Sequence, residues 1–334
     1  KKPKSVARSE IKSWASYQLP SGAFPYWPNQ KIASPYVSMR LAEIFAIALN
    51  NDVGGTNGIN LKALMNYLMR VANGMEEKYY YSDYSAAYSY FVVSELALAS
   101  KTPFSTVSLG VTYVDKIADS SSDVKVLALC ALTYLNLGQK QKAENLATKI
   151  RSYTKLTTRG IDISNGDSSW CFLNSDSEKF ALLLQLFSRL SPRDDVNQHL
   201  VYELLKLQRV SKGYWRSTAG TTRVLISLND YIKANHLEDL NYTADVLLNG
   251  KSVLGGRFKG VSAEPLERTI DFSENEISSL KKDTEYSLEF KKEADQALSR
   301  FNLSIEFCDP LSLSVSCHIG EGAIAIAGCE YYKK

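Results

Sequence analysis

Histidine is scarce in this chain, with three in 334 residues: His199, His236 and His318. Nucleophilic and metal chemistry draws heavily on imidazole, and no two of the three have the spacing that puts ligands on one helix face. No catalytic, cofactor-binding or metal-ligating residue is assigned, and no cofactor is expected. Cysteine is sparse as well: Cys130, Cys171, Cys308, Cys317 and Cys329 form no Cys-x-x-Cys, which leaves zinc and thioredoxin-type chemistry without support. Three of the five fall in the last 27 residues, at spacings of 9 and 12, where a short disulfide would suit an oxidising compartment. Cys317 and His318 are neighbours in sequence, but adjacent residues on a strand point to opposite faces, which argues against a thiolate dyad.

Long apolar runs are missing too. Nothing approaches the roughly 20 residues needed to cross a bilayer, so no membrane span is expected. Neither charge dominates: 39 basic and 36 acidic side chains are interspersed, for a formal net charge of +3. Nucleic-acid binding needs a basic stripe, and none is present. The opening Lys1-Lys2-Pro3-Lys4 reads as a frayed terminus. With 45% hydrophobic and 22% charged residues, the chain is able to bury a core, and its length fits two or three domains of roughly 100–200 residues.

What is present is helical periodicity. From Ser34 to about Asn235 apolar residues recur three and four apart, as in Tyr36–Leu49, which stops at the turn-forming Asn50-Asn51-Asp52-Val53-Gly54-Gly55. The pattern predicts further helices over Asn60–Asn73, Tyr84–Ser100, Pro103–Ile117, Asp123–Asn136, Lys140–Ser152, Ser177–Ser188, Asp194–Gln208 and Thr218–Ala234. Ser122-Asp123 and Ser191-Pro192-Arg193-Asp194 supply good first turns. Nine helices on short connections make antiparallel hairpins, and a series of hairpins builds an α/α toroid. Three loops place a Trp between a Gly-containing turn and an oncoming helix: Gly22–Pro28 with Trp27, Gly166–Trp170, and Gly213–Thr218 with Trp215. Each Trp is expected to plug the end of a helix pair.

Beyond Asn235 the period changes to strands. Tyr242–Lys251 reads as a strand into an Asn-Gly turn, followed by Arg257–Lys259, Glu267–Phe272, Tyr286–Lys291, Phe301–Phe307, Leu311–Ser316 and Ala323–Ala327. The expected fold is therefore mainly α: a terpenoid-cyclase-like α/α toroid over 1–237, then a small antiparallel β-sandwich segment over 238–334. Toroid enzymes use loop carboxylates, and Asp83, Asp162, Asp167 and Asp176 are the candidates. The Asp-x-Asp-Asp of terpene cyclases does not occur, and Asp194-Asp195 read as first-turn acids favoured by a helix dipole. Two sequons, Asn241-Tyr242-Thr243 and Asn302-Leu303-Ser304, bear on function only in a eukaryotic secretory route.

The order of these blocks resembles a known family. Tyr17–Pro28, with its Gly22-Ala23-Phe24-Pro25-Tyr26-Trp27-Pro28, then Ser34–Val37 and Leu61–Leu68, resemble the Tyr-Trp-Pro region of bacterial α2-macroglobulins. Leu204–Gln208, Gly213–Thr218 and Val224–Tyr231 are similar to that family's helix–Trp-loop–helix segment, and Tyr242–Lys251 with Val253–Gly260 to its entry into a β-sandwich. The resemblance implies the C-terminal part of a thioester domain followed by the end of a CUB-like β-domain. It implies a secreted or periplasmic, broad-spectrum protease trap, anchored to the cell envelope through the parent protein. The implied partners are proteases and other domains of the same polypeptide. The family's thioester signature, Cys-x-Glu-Gln, follows none of the five cysteines here, so no residue inherits an acyl or nucleophilic role. Only 21 residues precede Gly22, fewer than the family places between its thioester and this loop. A ring short of its opening helices is expected to expose apolar surface, with self-association, a domain exchange or a marginally stable edge around the first helix as the result. The alternatives are a toroid enzyme acting on a glycan or isoprenoid, and a scaffold that binds a peptide or sugar on its aromatic rim.

Overall fold

The computed structural model describes residues 2–76, 82–157, 160–164, 175–210, 215, 217–236, 241–248, 250–259, 266–271, 288–294, 302–309, 312–318 and 324–328. Two compact units are present, one formed by Lys1–Lys155 with Ile163–Asn174, the other by Leu156–Asp162 with Ser175–Lys334.

The first unit contains α1 (Lys2–Trp14), α2 (Pro35–Asn50), α3 (Leu61–Ala72), α4 (Asp83–Ala99), α5 (Val111–Ser120), α6 (Val124–Asn136) and α7 (Lys140–Ser152). Its helices alternate in character. α4 packs on α2, α3 and α6, while α6 packs on α4, α5 and α7. Enclosure on several sides explains why 13 of the 17 residues of α4 are buried, whereas α7, packed mainly on α6, buries 3 of 13. The sequence is graded to match: α6 reads Val-Lys-Val-Leu-Ala-Leu-Cys-Ala-Leu-Thr-Tyr-Leu-Asn, almost wholly apolar, and α7 carries a narrow stripe of Ala143, Ala147 and Ile150. Each fully buried Leu or Phe contributes about 1.5–3 kcal/mol, so α4 and α6 are the energetic centre of this unit.

Polar side chains set the helix starts. Ser34, Asn60 and Asp123 accept from the backbone N–H groups of Val37, Ala63 and Lys125, and Ser82 and Ser85 cap α4 reciprocally. Helix ends use left-handed residues: Asp52, Gly74, Lys101 and Gly138 follow α2, α3, α4 and α6. At each, the next N–H reaches five residues back, as in Thr102 to Ala97 O at 2.8 Å.

Two expectations need correction here. α1 forms where a frayed terminus was expected. Among its described side chains Ile11 is the buried one, and the helix is tied down by Lys4 Nζ donating to Asn51 O (2.9 Å) and Arg8 Nε donating to Val53 O (2.7 Å). The helix expected over Pro103–Ile117 is broken into a 3-10 turn at Phe104–Val107 and α5, because Ser108 sits at φ 56°. A left-handed residue ends one helical path before Gly110 starts the next.

Between the helices, β1 (Thr154–Thr157) and β2 (Gly160–Ile163) make a two-stranded sheet that the periodicity does not predict. The second unit contains α8 (Asp176–Leu190), α9 (Asp195–Val210) and α10 (Thr218–Ala234), with α8 packed on both of the others. Ser175 and Ser217 cap α8 and α10 through the N–H groups of Glu178 and Gly220. Then follow β3 (Asn241–Leu248), β4 (Lys251–Lys259), β5 (Leu266–Asp271), β6 (Leu288–Ala294), β7 (Asn302–Asp309), β8 (Ser312–His318) and β9 (Ile324–Gly328). β3 is central in an antiparallel sheet ordered β4-β3-β6, and Tyr242 stacks on Phe258 across the first pair at 5.2 Å. The other sheet runs β5-β8-β7-β9. It is not wholly antiparallel, as was expected, because β9 runs parallel to β7. Its register sets Cys317 opposite Leu303, five residues from Cys308 and hence about 17 Å away along the strand, too far for a disulfide between the two. The mainly helical fold with strands at its end is as the sequence pattern predicts.

Candidate functional site

Each unit carries polar side chains on its packed helices, and their geometry decides what they can do. In the first unit Tyr88 Oη donates to Glu43 Oε2 at 2.7 Å and accepts from Arg40 Nη1 at 3.0 Å. The Arg40 guanidinium lies over the Tyr88 and Tyr36 rings, with Cζ 5.0 and 5.7 Å from their centroids. Glu43 is thus occupied by a phenol and a guanidinium 3.7 Å away. Such an arrangement locks α2 to α4 and leaves no carboxylate poised to move a proton. Nearby on α4, Tyr84 stacks on Tyr88 and has Lys125 Nζ 5.9 Å from its ring centre.

A second cluster joins α5, α6 and α7. Asp115 Oδ1 accepts from Tyr134 Oη at 2.5 Å and from Lys142 Nζ at 2.6 Å. Burial pushes the Asp115 carboxyl upward, but the hydrogen bonds from Lys142 and Tyr134, with the Lys142 charge, outweigh it and hold the group below the usual carboxylate range. Tyr134 moves the other way: burial and the Asp115 carboxylate both raise it, so it stays a phenol. In the second unit Gln185 Nε2 and Arg189 Nη2 both donate to Asp230 Oδ2 at 3.0 Å, tying α8 to α10.

Of the candidate acids, Asp83 lies in the first unit and Asp162 and Asp176 in the second. Asp83 and Asp176 occupy the first turns of α4 and α8, and Asp176 is paired with Lys179 Nζ at 3.2 Å. Asp162 is exposed on β2, and Asp167 lies outside the described residues. Asp194 accepts from the Val196 N–H at 3.0 Å and Asp195 opens α9, as the reading of first-turn acids expects. His199 lies within α9, His236 follows α10 at φ 54°, and His318 closes β8 beside Cys317. Cys130 is buried in α6, where burial first and the Asp83 charge second push its thiol up, away from nucleophilic thiolate. Among the described residues no group of three or more His, Cys, Asp or Glu side chains comes together as metal ligands, and no helix is long and apolar enough to cross a membrane. Cys171 and Cys329 lie outside the described residues.

The tryptophan loops divide. Trp215 is buried, and its Nε1 donates to Leu204 O at 2.6 Å, closing the α9–α10 end as expected. Trp170 lies outside the described residues. Trp27 overturns the expectation of a plug: it is 61% exposed, and its loop is sealed by Phe24, which is buried against Phe45 at 5.9 Å. That loop is firmly held. Gly22, at φ 88°, lies so close to α3 that a Cβ there would fall 2.2 Å from the Ala63 carbonyl carbon. Ser38 Oγ accepts from the Phe24 N–H (2.9 Å), the Ser34 N–H donates to Phe24 O (2.8 Å), and Pro25 bridges to Ala33. Sequence reasoning had no way to tell Trp27 from Trp215, since both follow a Gly and an aromatic residue.

No protein-family model matches the sequence, and no curated protein matches it by sequence. Solved structures do match in fold. Native α2-macroglobulin from Escherichia coli, spanning domain MG7 to the C-terminus, aligns with 95% of this chain at 13% identity and a TM-score of 0.53. The Escherichia coli protein activated by porcine elastase aligns with 94% at 11% identity and a TM-score of 0.51. The chain spans 41% and 34% of those two structures, well under their full length. Its fold, helices and strands together, is one found within bacterial α2-macroglobulin.

Proposed function

We propose that this chain is part of a macroglobulin-type protease trap and serves there as a structural and interaction module with no catalysis of its own. The observation that carries the reading is the match of one solved macroglobulin to 95% of the chain, strands as well as helices. The ordered blocks Tyr17–Pro28, Gly213–Thr218 and Tyr242–Lys251 agree with it independently. On this reading the helical domain runs over 1–237 and the CUB-like segment over 238–334, a division supported by the change from α10 to β3. The protein acts outside the cytoplasm, in the periplasm or as a secreted or envelope-anchored form. Covalent capture, where the parent uses it, rests on residues other than these 334, which contain no Cys-x-Glu-Gln.

The test uses the full-length polypeptide with trypsin or elastase. Trapping predicts that the protease loses activity on a large protein substrate and keeps it on a small chromogenic peptide. Loss of neither, with the polypeptide digested to fragments, overturns the reading. The enzyme alternatives have less support, because Asp83 and Asp176 are both held in helix first turns.

A further inference from the structure

Helix α5 is held in place by polar ties more than by burial. Its buried residues are Val114, Ile117 and Ala118, and Gly110 starts it without a side-chain cap. A helix of ten residues does not persist on its own propensity. On its N-terminal side the chain turns at Ser108, φ 56°, which separates α5 from the 3-10 turn at Phe104–Val107. Two ties fasten the helix to its neighbours. At its middle, Asp115 Oδ1 accepts from Tyr134 Oη at 2.5 Å and from Lys142 Nζ at 2.6 Å, so one carboxylate oxygen joins α5 to both α6 and α7. At its end, Lys149 Nζ donates to Ser121 O at 2.9 Å and to Ala118 O at 3.5 Å, closing the last turn.

We infer that α5 is an acid-released clip: protonation of Asp115 frees it from Tyr134 and Lys142, while α4, α6 and α7 stay folded and Lys149 keeps its C-terminal end tethered. The two ties differ in their response to protons. Lys149 binds backbone carbonyls, which do not titrate. The Asp115 tie depends on a charge, and a neutral carboxyl gives up its attraction for the Lys142 ammonium. Burial raises the Asp115 carboxyl, but the hydrogen bonds from Lys142 and Tyr134 and the Lys142 charge outweigh it and hold the group low. Its contribution is therefore complete above the unfolded carboxylate pKa and is lost as pH falls through the lower folded value, below about pH 4. The remaining charged groups on the packed elements face solvent or are engaged elsewhere. On α5, Lys116 and Asp119 are exposed, and Asp119 adds negative charge near Tyr134. On α7, Lys140 pairs with Glu144 at 3.6 Å. From α4 the Tyr90 ring meets Tyr113, with centroids 6.3 Å apart, and Glu95 accepts from Asn136 Nδ2 at 2.8 Å. Release turns Ser108 and Gly110 into the hinge and bares Val114, Ile117 and the side of α6 that carries Tyr134.

Hydrogen exchange of the 334-residue chain, read by mass spectrometry at about pH 6.5 and about pH 3.5, tests this. Dividing each rate by that of the unfolded chain at the same pH removes the intrinsic pH dependence of exchange. The clip predicts that amides of Val111–Ser120 lose about fivefold or more of their protection in acid, while those of Asp83–Ala99 keep theirs. Asp115→Asn should show the low α5 protection already near neutral pH and no further loss in acid. Equal losses in α4 and α5 would mean that the whole unit unfolds, and would overturn the clip, as would α5 protection indifferent to pH. An acid loss that persists undiminished in Asp115→Asn would assign the titration to another group and overturn it as well. Lys142→Met keeps the carboxylate and the Tyr134 bond, and so covers the case in which Asp115→Asn fails to fold. Its α5 protection should fall near neutral pH, and its further drop in acid should shrink. A Lys142→Met chain that exchanges like the parent at both pH values removes the ion pair from the device and sinks the proposal.

Discussion

Trp27 and Trp215 start from the same local recipe, a Gly and an aromatic residue before the indole and a helix after it, and end in opposite environments. Trp215 is 6% exposed and hydrogen-bonded to the α9 backbone, while Trp27 stands in solvent. The difference lies in what else the loop offers. Around Trp27 the plug is already supplied three residues earlier by Phe24, and Pro25 and Pro28 fix the chain on either side of Tyr26-Trp27. Trp215 also gives its indole N–H to the backbone carbonyl of Leu204, within α9, at 2.6 Å, so its polar atom is satisfied where the ring is buried. A motif thus specifies a side chain, and the rest of the loop decides whether it is structural or available.

Substitutions sharpen that contrast. The largest effect is expected from Trp215→Ala, which removes a buried indole and its hydrogen bond to Leu204 O. A loss of about 3–5 kcal/mol in the second unit should appear as a lower midpoint in urea, followed by peptide-resolved hydrogen exchange. Gly220→Ala attacks the same site from the helix side. A Cβ there would meet Trp215 O at 2.9 Å and Ser177 Oγ at 3.0 Å, and about 1–3 kcal/mol should be lost. Asp115→Asn, away from both loops, serves as a pH-dependent control. The Asp115 carboxyl is depressed in the folded state, so its contribution is complete above the unfolded carboxylate pKa and fades as pH falls through the lower folded value. The melting temperatures of wild type and Asp115→Asn should therefore differ at pH 7 and converge below about pH 4. Trp27→Ala should change stability by no more than about 0.5 kcal/mol in the 334-residue chain. A cost near that of Trp215→Ala would break the comparison.

Much of the helical fold was legible. Lys140–Ser152 and Thr218–Ala234 were read to the residue, because a periodic apolar stripe is bounded there by polar caps and turns. α1 was not legible, since a stretch rich in Lys, Ser and Arg with one buried apolar residue has no stripe. It is held by Lys4 and Arg8 reaching carbonyls some 45 residues away in sequence, contacts that local pattern does not encode. Ser108 likewise gave no sign of a left-handed break, a conformation that serine adopts only when its surroundings impose it. At the site level, the residue types singled out were present, and their mutual geometry was the part hidden from sequence. Glu43, Tyr88 and Arg40, spread over 48 positions, gave no local signal of their meeting.

The enclosure of α6 has a consequence of a different kind. Cys130 lies at its middle with no exposed surface, walled in by α4, α5 and α7. A small alkylating reagent can reach that sulfur only while α6 is out of place. The rate at which Cys130 is labelled, read on its own peptide, therefore counts how often the heart of the first unit opens. The chain carries a clock for its own breathing, and it needs no engineered probe to be read.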